Sequence, residues 1–466
     1  MPRITDDESS GPSSDEGSTR KWRRPLLGVL VAVAVVMVAV VAVVVVDQTR
    51  GVSTPLRPTP TDPGGLRLEG ATVFNVPVSD LQVDPRSDDW TRRLWEHATT
   101  DAPGTWITMS GLPGKNNRFN DYASPLYDAR TANVRRRVRQ KTNFPGAMGV
   151  APDETVAWND SWLPSDGTDG FLVTYDPTTG QEWDYWNVSF PGYQQQNDHS
   201  LGCINSQNLP PPFGVGFDIN EDICAATAVR VTAPDGTPAD LRTYTGNFPP
   251  AGGGGIQNTV GAVTPQEVAA GAVRHAWKMN IWNTMFGPEC APAERTDPKA
   301  FGVTCGGAVA PAGQFEKSAY SDGTFVSPVP PIRGATPTEQ RSNTVPEGMR
   351  FSLRLTDAEI ESWLDSRGYQ GTLRTTARTL AVSLRDYGWF VTDTTGGPAG
   401  FGLLGSRNPE TEKGWRALGL VGSSQDLLIG LFTRDRLVTW SPPVNTCADG
   451  TKSTWQCWAS SIAYPE

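Results

Sequence analysis

The chain has 466 residues, and 40 Lys and Arg against 50 Asp and Glu give a formal net charge of −10. That balance argues against a general nucleic-acid binder, because a phosphate backbone is held through surplus positive charge. With 48 Gly, 39 Pro and only 19% charged residues, the composition is that of a loop-rich β-protein in which turn residues punctuate short strands.

Residues 1–25 begin with a Ser-, Asp- and Glu-rich stretch that has almost nothing apolar to bury, which predicts a disordered tail. Residues 26–46 are uncharged and apolar. At about 1.5 Å per residue a helix of that length crosses the ~30 Å hydrocarbon core of a bilayer, so the sequence predicts one transmembrane helix. Arg20, Lys21, Arg23 and Arg24 crowd its N-terminal side, which places the tail in the cytoplasm and everything after residue 46 outside it. The expected localisation is therefore the cell membrane, single-pass, with an extracytoplasmic ectodomain. A cleaved signal peptide fits less well, since its apolar core is shorter and ends in small residues. Pro55, Pro58, Pro60 and Pro63 make 47–66 an extended spacer. Residues 67–466 then form the ectodomain, with a weak boundary expected in the Pro-, Gly- and Ala-rich stretch within 290–346.

Along the ectodomain, 72–78 reads as a strand broken by Pro77, and Ser87 can cap a helix whose Trp90, Leu94 and Ala98 share one face. A basic island follows at Arg130, Arg135, Arg136, Arg137, Arg139 and Lys141. It is read first as a solvated face and second as a receptor for an acidic polymer. Residues 171–175 and 181–187 are β-prone runs joined by a Pro- and Gly-containing turn, which predicts a hairpin. Thr264-Pro265-Gln266-Glu267 and Thr356-Asp357-Ala358-Glu359 are capping boxes that should open helices. Between them, 272–280 alternates Val273, His275, Trp277 and Met279 with Arg274, Ala276, Lys278 and Asn280, the pattern of a half-buried strand. Residues 350–355 alternate likewise, 373–387 carry the strongest helical stripe, and 389–393 return as a strand. The expected fold is β-rich α+β: an antiparallel β-sandwich, jelly-roll-like, with a few short helices, after one transmembrane helix.

The six cysteines, Cys203, Cys224, Cys290, Cys305, Cys447 and Cys457, read as disulfides in an oxidising compartment. Six cysteines allow 15 connectivities, and proximity favours Cys203 with Cys224, Cys290 with Cys305, and Cys447 with Cys457.

Several short pieces resemble a largely uncharacterised family of microbial secreted β-sandwich-like proteins. They are Val73-Phe74-Asn75 with Pro77; Asp169-Gly170; Asp176, Gly180 and Glu182-Trp183-Asp184-Tyr185-Trp186; Glu267 and Gly271 with His275-Ala276; Pro346, Gly348 and Arg350-Phe351; Ala377-Arg378, Tyr387-Gly388 and Asp393. The resemblance implies a secreted β-sandwich and no particular activity. Phe171 stands where a histidine would be expected after Asp169-Gly170, which speaks against paired-histidine chemistry.

Glu182 and Asp184 lie two apart on a strand, so both point to one face about 7 Å apart at the backbone. Paired carboxylates at such a spacing are what glycoside hydrolysis uses. His275 is either a hydrogen-bonded core residue or a proton-transfer residue of a lyase-type cleft, and His199 beside Cys203 is a weaker candidate of the same kind. Trp183, Trp186 and Trp277 offer flat faces on which sugar rings could stack, and equally fill sandwich cores. The expected catalytic set is Glu182, Asp184 and His275, with Trp183, Trp186, Trp277 and His199 binding substrate. No cofactor is expected; Asp218-Ile219-Asn220-Glu221-Asp222 alternates oxygen ligands and is the one calcium candidate. The functional expectation is a membrane-anchored protein that binds or cleaves cell-envelope polysaccharide, as a glycoside hydrolase or polysaccharide lyase if an enzyme. The alternative is a non-catalytic surface or envelope-assembly protein acting through protein contacts.

Overall fold

The computed structural model describes residues 73–98, 108–110, 124–140, 155–165, 170–192 except 177 and 180, 222–230, 254, 256, 258, 261–312 except 282–283 and 286–289, and 344–442 except 395–399, 404–406 and 422–425. All of these belong to one compact unit, Pro60–Glu466. The expected tail, spacer and apolar segment, residues 1–66, lie outside the described residues.

Twelve strands are described, divided equally between two sheets. The second sheet in chain order of its centre, with strand order β1-β11-β8-β10-β9-β12, takes β1 (Thr108–Ser110), β8 (Trp277–Ile281), β9 (Arg350–Leu353), β10 (Trp389–Thr394), β11 (Gly400–Gly402) and β12 (Leu437–Trp440). We call it the helix-backed sheet. The other, ordered β2-β5-β6-β7-β3-β4, takes β2 (Leu126–Asp128), β3 (Val134–Gln140), β4 (Thr155–Trp158), β5 (Leu172–Asp176), β6 (Gln181–Ser189) and β7 (Ile223–Arg230). The described α-helices are α1 (Ser87–His97), α2 (Pro265–Ala269), α3 (Asp357–Ser366), α4 (Gly371–Asp386) and α5 (Pro409–Ala417). The β-rich α+β expectation therefore holds, but the all-antiparallel one does not. β1 with β11, β8 with β10, β2 with β5, and β3 with β7 are parallel pairs.

The single membrane span is also corrected, and with it the membrane partner and the single-pass cell-membrane localisation. Among the described residues no helix is long and apolar enough to cross a membrane. Among them the longest α-helix, α4, has 16 residues and carries Arg374, Arg378, Arg385 and Asp386. At ~1.5 Å per residue it falls short of a ~30 Å core, and its three arginines pair with acids on α3.

Local chemistry explains most elements. The 172–176 and 181–185 runs pair antiparallel from Leu172 opposite Tyr185 to Asp176 opposite Gln181, the expected hairpin. Both capping boxes form: Thr264 and Thr356 each accept from the backbone N–H three residues on, and Glu267 and Glu359 accept in return. Gly388 ends α4 at φ +66, where a Cβ would stand 1.9 Å from the Phe351 carbonyl oxygen, so only glycine lets β10 approach β9 there. Ser87 departs from expectation. Its hydroxyl accepts from the Thr439 backbone N–H at 3.0 Å rather than capping α1. Asp84 N–H donates to Thr439 O and Ser441 N–H to Gln82 O, so residues 82–87 are zipped along the end of β12.

Each sheet has its own apolar core. On the helix-backed sheet Trp277, Met279, Ile281, Phe351, Leu353, Trp389, Val391 and Phe401 pack with Leu380 and Leu384 of α4, Ile360 and Leu364 of α3, Trp90 and Leu94 of α1 and Trp415 of α5. On the other sheet Trp158, Trp162, Leu172, Trp183, Tyr185, Val188 and Phe190 form a second core. Asn187, at φ 56, resets the alternation of β6, so Val188 and Phe190 return to the face already used by Trp183 and Tyr185.

The 72–78 stretch is not a strand, and what binds it is a buried cation. Arg350 lies 1% exposed on β9 and donates to the carbonyls of Val73 (3.1 Å), Val76 (2.6 Å) and Tyr387 (2.6 and 3.1 Å). Its guanidinium also lies 5.1 Å from the centre of the Phe390 ring. Because removing one partner strands buried acceptors, Arg350→Met is expected to lower the unfolding free energy by about 3 kcal/mol in a urea titration. An unchanged urea midpoint would show that the clamp contributes nothing.

Candidate functional site

The residues that carry chemistry meet on the inward face of β6. Trp183 and Tyr185 point to the apolar core, so Glu182, Asp184 and Trp186 point the other way. Glu182 and Asp184 are each 2% exposed, and the Glu182 side chain acts on the Asp184 carboxyl. Asn258 faces the pair: its backbone N–H and its Nδ2 donate to Asp184 Oδ2 at 3.2 and 3.0 Å. From the helix-backed sheet, Lys278 on β8 donates through Nζ to Asn258 Oδ1 at 2.8 Å. Asp393 on β10 lies close enough to Lys278 for its charge to act on the ammonium, together with Asp184 and Glu182. The carboxamide of Asn258 thus bridges an acid on one sheet and a base on the other.

The electrostatics follow from dryness. Burial is the largest influence on Asp184 and pushes its carboxyl up to about 6, against the hydrogen bond with Glu182, the Lys278 charge and the Asn258 donors. Burial likewise pulls the Lys278 ammonium below its ordinary range, opposed by Asp184, Asp393 and Glu182. Between them the groups form a dry, proton-holding cluster that an acid–base reaction could use.

The other expected site residues do not join it. His275 precedes β8 rather than lying on it, because the strand begins at Trp277. Its Nε2 is 3.1 Å from Glu267 Oε1 and its Nδ1 is 2.9 Å from the Ala276 carbonyl oxygen. Two acceptors on two ring nitrogens call for the doubly protonated imidazolium. Burial, the largest influence, lowers the His275 pKa, yet the charge and hydrogen bond of Glu267 and the Ala276 carbonyl raise it overall. Since the other Glu267 oxygen serves the capping box of α2, His275 fastens that helix through Glu267.

Trp183 is in the core of its sheet, and Trp277 is fully buried with Nε1–H donating to Ser383 Oγ at 2.9 Å. Neither can stack on a sugar. Trp186 is half-buried on the Glu182 face. His199 lies outside the described residues, as do Cys203, Cys447 and Cys457. Cys290 and Cys305 are bridged as proximity suggests, and Cys224 is also disulfide-bonded. Of the calcium candidate only Asp222 is described; Arg137 donates to both of its carboxylate oxygens at 2.8 Å. Of the basic island, Arg130 and Arg135 are exposed, as a solvated face would have them, while Arg136 is buried and paired to Asp160; Arg130 pairs with Asp128.

No protein-family model, curated protein or solved structure matches the chain.

The His275 pair sets a pH dependence. A folded-state pKa raised above 6.5 contributes stability that is fully present below 6.5 and is lost as pH rises through the folded value. Urea titrations of the parent and His275→Gln should therefore differ most in slightly acidic buffer and converge in alkaline buffer. A constant gap between the two across that range would refute the assignment.

Proposed function

We propose that this chain is a non-catalytic assembly protein that acts through protein contacts, and that the Glu182–Asp184–Asn258–Lys278 cluster is an internal fastener between its two sheets. One observation carries the reading. Every side chain that could have been catalytic, Glu182, Asp184 and His275, is buried, and Asp184 Oδ2 and both ring nitrogens of His275 are spent on partners within the protein. A site built for a polysaccharide needs carboxyls with room for a sugar between them, and aromatic faces open to it. Trp183 and Trp277 supply core volume instead.

The same reading takes the two sheets as layers of a sandwich. It differs from a jelly roll in that each layer keeps a large apolar core on its own side, while the polar cluster meets beside a smaller apolar one of Phe74, Ile256, Ala276 and Phe390. Such an arrangement is costly unless every group is satisfied, and it rewards a unique alignment of the layers, since a shift leaves buried charge unpaired.

The test is turnover. Incubated with a panel of neutral and acidic polysaccharides, the full chain is expected to release no reducing ends and no unsaturated uronate. Glu182→Gln should change the urea midpoint and leave that blank result as it is. Release of sugar by the parent that Glu182→Gln abolishes, with the variant still folded by circular dichroism, would replace this reading with an enzymatic one.

A further inference from the structure

Lys278 and Asn258 meet in a way that a hydrogen bond alone does not require. The amine nitrogen is 2.8 Å from the carboxamide oxygen. With a C=O bond of about 1.23 Å, Nζ is then no more than about 4 Å from Asn258 Cγ, near the distance at which a nucleophile attacks a carbonyl carbon. The nitrogen that would leave, Nδ2, rests 3.0 Å from Asp184 Oδ2, and Asp184 is in turn hydrogen-bonded to Glu182. Amine, carboxamide and acid are thus lined up in reacting order, at residues that are buried or half-buried.

We propose that Lys278 and Asn258 join in an intramolecular isopeptide bond, formed by the protein on itself with the Glu182–Asp184 pair as the proton-transfer group. Neutral Nζ attacks Cγ, the Nζ–Cγ bond forms and the Cγ–Nδ2 bond breaks. The proton given up by Nζ passes by way of Asp184 to Nδ2, which departs as ammonia. Atoms balance as amine plus carboxamide giving a secondary amide plus ammonia, with no oxidant, reductant or other co-reactant.

The surroundings favour each step. Burial lowers the cost of holding Lys278 as a neutral amine. The same burial raises the Asp184 carboxyl to about 6, so it exchanges a proton more readily than an ordinary carboxylate, and its Oδ2 lies 3.0 Å from Nδ2, the nitrogen to be protonated. Asn258 is 8% exposed, so water competes poorly as the nucleophile. Nucleophile and electrophile are 20 residues apart in one chain, so the reaction needs no encounter and only a fold that sets the geometry.

The inference goes beyond the non-catalytic reading, and the experiment separates the two because mass reports the cross-link whether or not polysaccharide is turned over. The full chain, purified and reduced, is examined by intact mass spectrometry and tryptic mapping. The expected result is a mass about 17 Da below that of the sequence, with one branched peptide containing both Asn258 and Lys278 and no cleavage after Lys278. Lys278→Arg, Asn258→Ala and Asp184→Asn should each restore the full mass. A succinimide at Asn258 would give the same loss while leaving the two residues in separate peptides, and would overturn the proposal. So would a parent chain at full mass, whatever the variants do.

Discussion

The interaction on which the architecture depends is the carboxamide of Asn258 held between Asp184 and Lys278. Each sheet has strand pairing and an apolar core, and a third apolar cluster of Val73, Phe74, Ile256, Ala276, Ala312 and Phe390 forms beside β8 and β10. The two sheets are joined at Asn258 by a polar contact in which each group depends on its neighbour. Asp184 needs the Asn258 donors, Asn258 Oδ1 needs the lysine, and the lysine charge needs the acids. A second seam, where Tyr127 donates to the Leu163 and Arg407 carbonyls at 2.8 and 3.0 Å, ties β2 to the approach of α5. Hydrophobic burial therefore builds the core of each sheet, while hydrogen bonds link one sheet to the other.

Buried cations recur as the device for fixing irregular chain. Arg350 gathers carbonyls from residues 73–76 and the end of α4. Arg93, 4% exposed, pairs with Asp89 and donates to Gly302 O while lying 4.7 Å from the Trp90 ring centre. His275 does the same for α2 through Glu267. In a Gly- and Pro-rich chain many carbonyls fall outside ladders, and a multi-donor side chain satisfies several at once. The basic and histidine residues that resemble site residues in sequence are often these internal staples.

That distinction marks what could be read from the sequence. The hairpin of β5 and β6, both capping boxes, the α4 stripe and the Cys290–Cys305 bridge were all legible, because each is set by residues within a few positions of one another. The same-face placement of Glu182 and Asp184 was legible from the period of a strand. Their burial was not, since it depends on Asn258 and on Lys278 of the other sheet, both more than seventy residues away in the chain. Lys278 showed only as a polar residue alternating with Trp277 and Met279, the pattern of a solvent-facing position, and nothing local reveals that a second layer covers that face. The parallel pairs were equally hidden, because strand direction is set by the connections between strands and not by their composition. Trp277 misled for the opposite reason: an aromatic ring reads alike whether it lines a cleft or fills a core.

The zipping of residues 82–87 along the end of β12 has a mechanical side. It holds residues 82–87 against β12, so tension applied at Gln82 and Pro442 would act first on a few hydrogen bonds at one sheet edge. Those bonds lie in series and would open one after another, freeing 82–87 from β12 at low force. The join at Asn258 and Lys278 lies outside that path and would feel no load until the edge had given way. The fold thus has a soft rim that can yield and re-form around an interior that stays put.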